Sequence, residues 1–340
     1  MTPPAWRLPL MVAALLAAVG LFALQQNAGG GLSDLPMQDY VEYWAAGRLL
    51  ARGENPYDEA AIQVLEQEAG RTEEPILMWN PPWVLPLVVP LGWVEARTGH
   101  LPWLGVQLLA LLASAGLLAR VYRIDPDRRL VVVALLVTFA PACAALVAGQ
   151  ISPLMLLGVA GFLALVQRRQ DFFAGVAASL IGIKPHLALL FWIALLVWTL
   201  RTRRWGVIAG GVLAGLALTG VAMAFRPGVV GEYWHALRGS PPSHYHSPTL
   251  GMLLRLLIDE DRFSLQFVPI IPGVLWLAWF GWRHRHDWDW GRHLPAVMLG
   301  SMLTAAYGAW LFDLTVLFVV VAKLAGATMT PAAYRDADLQ

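Results

Sequence analysis

The chain has 340 residues, 58% hydrophobic and only 14% charged, with a mean hydropathy of +0.57 and a formal net charge of +1. A soluble domain is about a quarter charged, so this composition excludes an ordinary water-soluble globule and supplies apolar sequence for many bilayer crossings of ~20 residues each. The near-zero net charge gives no electrostatic support to nucleic-acid binding. The single cysteine, Cys143, excludes an intrachain disulfide framework and a thiolate metal cluster.

In chain order, residues 8–25 follow Arg7 and end in Gln25-Gln26-Asn27 with no small-x-small cleavage pattern, which predicts an uncleaved first membrane helix. A loop over 27–82 follows, and residues 27–100 hold 11 of the 23 carboxylates, so acids concentrate on one side of the membrane. Within it Tyr40, Tyr43, Trp44 and Leu49 fall at helical spacing. This predicts an amphipathic helix on the membrane surface, ended by Gly53 and Pro56, with a second helix from Asp58. Residues 83–94 are apolar but short and hold Pro86 and Pro90, which predicts a re-entrant or interfacial segment.

Full spans are predicted at 101–120, 130–148, 151–167, 205–225, 266–282, 293–309 and 312–328. The apolar stretch 172–200 is interrupted by Lys184-Pro185-His186 and reads as a broken pair of helices with its break at the outer side. The fold class is therefore all-α: one polytopic transmembrane domain over 1–340, with about 8–10 membrane helices, some short or broken. It carries a folded first outer loop, 27–82, and a second outer loop, 226–265.

Arginine sets the orientation. Arg120, Arg123, Arg128 and Arg129 share one short loop, Arg168 and Arg169 a second, Arg201, Arg203 and Arg204 a third, and Arg283, Arg285 and Arg292 a fourth. Placing all four loops in the cytoplasm satisfies the positive-inside rule and puts both termini there. The chain is then a multi-pass protein of the cytoplasmic membrane.

Several side chains stand out. Lys184 is the one charge in its apolar stretch, where a charge costs roughly 2.5–3.5 kcal/mol on insertion scales, so it and His186 are candidate phosphate contacts at a helix break. The alternative is a lysine snorkelling to the interface. Asp313 lies in an apolar run at the outer end of the last span, as a site residue or as the buried partner of a cation. Asp39-x-x-Glu42 fits a capping box. The second outer loop holds His235, Arg238, His244, Tyr245, His246 and Arg255, a set suited to phosphate or to proton transfer, or simply a polar loop. Asp125-x-Asp127 and Asp287-x-Asp289 invite a nucleotide-sugar reading but are weak motifs inside Arg-rich loops, and the 284–293 run suits either metal binding or, in preference, juxtamembrane charge. Gly206-x-x-x-Gly210 and Gly211-x-x-x-Gly215 read as helix-packing faces.

DYVEYWAAGRLLARGENPYD at 39–58 resembles the first-loop signature of glycosyltransferase family 87, membrane enzymes of the GT-C class that use polyprenyl-phosphate sugars. NPPWVLPLVVPL (80–91), GQISPLMLL (149–157), GIKPHLALL (182–190), SPTLGMLLRLL (247–257) and WLFDLTVL (310–317) resemble later elements of the family in the same order. The chain departs from the family at Ser247-Pro248-Thr249, where Asn-Gln-Ser is common, and at Ala306-Tyr307, where Ser-Pro precedes the Trp. The resemblance implies an inverting transfer of a hexose, typically mannose, from a polyprenyl-phosphate donor to a lipid or glycan hydroxyl at the outer face. It implies Asp39 as the general base, since Asp39 matches the first-loop aspartate, and it matches Asp313 to a second family aspartate. Lys184, His186, His246 and Arg255 would hold the donor phosphate, the last two because they flank the SPTL segment. Tyr43 and Trp44 would line the sugar or acceptor surface. No soluble cofactor is implied, and a divalent ion stays open without a complete site. Two other readings remain: a lipid or small-solute transporter or flippase, which broken helices with an intramembrane lysine also suit, and a non-catalytic partner in envelope-glycan assembly.

Overall fold

Helices make up most of the described part of the computed structural model, residues 38–240 and 247–329, and no strand occurs among them. The expected first span at 8–25 and the residues Asp34, His244, Tyr245 and His246 lie outside the described residues. Four helices are long and apolar enough to cross a bilayer: Ala96–Val121 (α3), Pro185–Thr202, Trp205–Phe225 (α9) and Phe263–Arg283. A bent pair makes a fifth. The chain is thus an all-α, multi-pass membrane bundle. Pro82–Trp93, Ser152–Gln167 (α6) and Asp171–Ile183 are shorter apolar helices.

The span expected as one helix over 130–148 is that bent pair. Arg129–Val137 (α4) and Ala140–Ala148 (α5) form its core, and the two halves meet at 59°. Pro141 has no N–H to give to Val137, and its ring excludes a carbonyl four residues back, so the helix breaks there. The Cys143 thiol approaches the freed Val137 carbonyl at 3.1 Å.

The first outer-loop helix, Gln38–Ala51 (α1), is not the surface-lying amphipath that its spacing suggests. Its buried residues run right round it and include Glu42 and Gly47. Close approach to the Pro82–Trp93 segment is the reason: a Cβ on Gly47 would collide with the Val88 carbonyl, and one on Gly92 with the backbone of Arg48. Tyr40 donates to the Ala96 carbonyl and Trp44 to the Val94 carbonyl, pinning α1 to the start of α3. The second loop helix, Glu59–Glu68 (α2), starts as expected, with the Asp58 carboxylate accepting from the Ala61 N–H at 3.0 Å.

The stretch 172–200 is broken where the sequence says. Asp171–Ser179 (α7) gives way to short turns around Lys184-Pro185, and Leu189–Thr202 (α8) resumes. Two carbonyls freed by the break find donors on the Pro82–Trp93 side: Asn80 donates to Ile183 O and Trp83 to Gly182 O, both at 2.9 Å. α7 lies tight against α9, where a Cβ on Gly175 or Gly210 would strike the carbonyl of Val207 or Phe172. Gly206 and Gly211 also meet α7, whereas Gly215 faces open space, so the glycine-face reading holds for three of the four.

The 226–265 segment holds Val229–Gly239 (α10) and Leu250–Ile258 (α11), and Ile270–Arg283 (α12) follows. Trp290–Leu303 (α13) ends six residues before the expected 309. Gly308 and Ala309 adopt positive φ, 74° and 54°, which no helix continues through, so 304–312 forms an irregular connection before Phe318–Met329 (α14).

The arginine loops gather at one end of the bundle. Arg201 donates to the Arg285 carbonyl at 3.0 Å, Arg204 pairs with Asp171 and reaches the Val166 carbonyl, and Lys323 donates to the Arg292 carbonyl. At the other end the two segments expected as outer loops interlock. Arg226 reaches the Gly53 carbonyl, Trp79 donates to Ser240 O, and the rings of Tyr57 and Tyr233 lie 5.3 Å apart.

Candidate active site

At that second end a cavity of about 450 Å³ opens among α1, the start of α6, the 180–186 break and the 304–312 connection. Each wall has a reason to be there. α6 begins at Ser152 because Gly149, in the left-handed conformation, ends α5 and lets the chain turn back on itself. Lys184 reaches the cavity because Pro185 stops the helix, and Tyr307 to Asp313 reach it because α13 has already ended.

Asp39, Tyr43, Lys184, His186 and Asp313, five residues singled out from the sequence, all line this cavity. Asp39 lies inside α1 rather than at its N-cap. Lys184 Nζ is 2.8 Å from Asp313 Oδ1 and 3.0 Å from Gln150 Oε1. The Tyr43 hydroxyl donates to the same Gln150 oxygen at 2.8 Å, and the Gln150 side chain interacts electrostatically with the Asp39 carboxyl. Asp313 also accepts from Ser152 Oγ at 3.0 Å and from the Trp310 N–H at 3.2 Å. A continuous polar chain therefore runs from Asp39 through Gln150 to Lys184 and Asp313. The Lys184 ammonium sits 5.1 Å from the centre of the Phe312 ring, and His186 stacks on Tyr307 with centroids 4.2 Å apart.

The electrostatics separate the carboxyls. Burial raises the Asp39 carboxyl above the ordinary aspartate range, while the Gln150 side chain and the charge of Lys184 pull it back. Burial pushes Glu42 well above the usual range, and the neighbouring Asp39 pushes it further. A carboxyl held this way favours its protonated form in the fold. The folded state then binds more protons than the unfolded chain, so Glu42 weakens stability as pH rises from its unfolded pKa to its raised folded one. Glu42→Gln should therefore gain thermal stability over the wild type at pH 8 and lose that advantage at pH 4. Unfolding temperatures at the two pH values check this, and a pH-independent difference contradicts it.

Two expected site residues are elsewhere. Trp44 is 4% exposed and spends its indole N–H on Val94, so it does not line the cavity. Arg255 is buried, donating to the Glu260 carbonyl and, at 2.9 Å, to Gln266 Oε1, with its guanidinium against the Phe263 ring. Those bonds close the turn after α11 and keep Arg255 out of the cavity lining. Gln150, which the sequence offers only as part of the 149–157 element and not as a site residue, joins Tyr43 and Lys184 in the structure. A neutral amide at the end of an apolar run, just before Ile151-Ser152, resembles an ordinary helix start. Its cost of burial without partners was the available signal. Asn80, Tyr233 and Tyr307 complete the wall with neutral side chains.

Among the described residues, three side chains with metal-ligand atoms converge at His284, Asp287 and His293, in an arginine loop at the other end of the bundle. His293 Nδ1 accepts from the Asp289 N–H at 3.1 Å, which leaves the proton of the neutral ring on Nε2 and no lone pair there for an ion.

The model of glycosyltransferase family 87 matches residues 79–335. This chain belongs to glycosyltransferase family 87. The family 87 match takes in Asn80, Gln150, Lys184, His186 and Asp313, and Asp39 and Tyr43 precede it. Membership makes the protein a membrane glycosyltransferase, which accounts for a polar cavity at the end of an apolar bundle. Neither a curated protein nor a solved structure matches the chain significantly.

Proposed function

We propose that this protein transfers a hexose, mannose in the first instance, from a polyprenyl-phosphate donor to a hydroxyl of a lipid or glycan acceptor. Transfer takes place at the outer face of the cytoplasmic membrane, with inversion at the anomeric carbon. The observation that carries the reading is the convergence of Asp39 and Lys184 on one cavity, at the bundle end opposite the arginine loops. Under the positive-inside rule that end faces away from the cytoplasm.

Asp39 takes the acceptor proton as the acceptor oxygen attacks C1, and the bond from C1 to the donor phosphate oxygen breaks. A carboxylate whose pKa is raised toward neutrality is a better base than an exposed one. Lys184 stabilises the negative charge that develops on the departing phosphate, with His186 as a further donor on the same wall. Asp313, Gln150 and Ser152 hold Lys184 in place and preorganise the charge. The half-buried rings of Trp79, Tyr307 and Trp310 line the cavity and offer it aromatic surface for a sugar, while Tyr43, fully buried, acts through its hydroxyl on Gln150.

The test is transfer by the purified protein in detergent from synthetic polyprenyl-phosphate hexoses to a panel of lipid and glycan acceptors, with the product anomer read by NMR. An inverted product with a mannose donor is expected. A retained anomer would overturn the single-displacement step, and transport without transfer would favour a carrier.

A further inference from the structure

A second slot lies at the arginine end, between α8 and α12, with a volume of about 520 Å³. Its long walls are apolar, formed by Ile193, Val197, Leu277 and Ala278, and Gly281 leaves its floor open. At one end stand Arg201, Arg285 and His286, all exposed. Arg201 donates to the Arg285 carbonyl, and Arg285 turns back over the Trp282 ring at 4.9 Å and donates to the Trp282 carbonyl at 2.9 Å. The two guanidinium groups are therefore held at the mouth of the slot. Among the described residues no carboxylate lines it, and the nearest in sequence, Asp287, is turned toward His284 at 3.5 Å and Arg292 at 3.7 Å. Trp282, 62% exposed, caps the boundary between the apolar and charged ends, as interfacial tryptophans do.

We infer that this slot binds an anionic phospholipid from the leaflet on the arginine side, with one acyl chain against α8 and α12 and the headgroup phosphate between Arg201 and Arg285. Charge complementarity selects the occupant. An apolar trough that ends in two fixed cations and no acid favours a lipid with net negative charge over a zwitterionic one. The site is separate from the transfer cavity and shares no residue with it.

Three proteins test it: the wild type, Arg201→Gln/Arg285→Gln, and Gly281→Leu. A Cβ at Gly281 meets nothing within 4 Å and Gly281 lines the slot, so a leucine there has room to start and is expected to project into it; the unfolding temperature of the lipid-free variant checks that the fold is kept. Each is purified in mild detergent, exchanged against phosphatidylglycerol or phosphatidylethanolamine with matched acyl chains, and read by native mass spectrometry and by lipid-induced shifts in unfolding temperature. The wild type should retain phosphatidylglycerol preferentially. The arginine pair variant should lose about thirtyfold in that preference, and Gly281→Leu should lose the bound lipid while keeping its helix content. Equal retention of the two lipids by the wild type overturns the inference. So does retention by the arginine variant, or loss in that variant without loss in Gly281→Leu, because the lipid then lies outside the slot.

Discussion

Lys184→Met is expected to lower sugar transfer by about 10²–10³-fold, the usual cost of removing a group that stabilises charge in the transition state, and to destabilise the fold as well. Asp313 is 1% exposed and its ion pair with Lys184 is 2.8 Å long, so removing the ammonium leaves a buried carboxylate with only Ser152 and the Trp310 N–H. Breaking one half of a buried pair costs about 3–5 kcal/mol. The double variant Lys184→Met/Asp313→Asn removes both charges, and neutral replacement of a buried pair is commonly tolerated. Stability should therefore return in the double variant while transfer stays low. Recovery of both stability and rate would mean that Lys184 serves the fold alone.

Asp39→Asn should reduce transfer by about 10²–10⁴-fold, the range that a positioned base contributes. Asparagine keeps the shape and an acceptor oxygen for Gln150 but cannot take a proton. Burial raises the Asp39 carboxyl, so the acid limb of kcat/KM in the wild type should fall at a pH above the ordinary aspartate value of 3.8. Activity is lost as pH drops through that limb, because only the deprotonated carboxylate is a base. A limb at or below the ordinary value would argue for a different group.

The membrane bundle was legible because long apolar runs admit few other folds, and the arginine clusters marked its ends. The break at Lys184 was legible for a local reason: a proline and a charge inside one apolar stretch cannot continue a helix at low cost. The bend at Pro141 has the same cause but fell inside a run that looked uniform in hydropathy. α1 misled in another way. Its aromatic spacing suggests a membrane-facing stripe, whereas Gly47 and Gly92 let the backbones of α1 and the Pro82–Trp93 segment touch, and sequence spacing does not report such a close approach. In the site, charged residues announced themselves and neutral ones did not. Asp39, Lys184 and Asp313 stood out, yet Gln150, which links them, carries no charge and sits 111 residues from Asp39 in the chain. Arg255 shows the reverse: its charge suggested a phosphate ligand, but Glu260 and Gln266 a few residues on engage it.

The central claim is that the Asp39 carboxylate is the base in the shared cavity. Single-turnover transfer from a polyprenyl-phosphate mannose by the wild type, Asp39→Asn and Asp39→Ala, with unfolding temperatures measured in parallel, tests it most directly. Asp39→Asn is expected to unfold at or above the wild-type temperature and to transfer no sugar on the wild-type timescale. If Asp39→Asn turns over like the wild type while Asp39→Ala is merely unstable, the carboxylate only orders α1, and Asp39 is not the base.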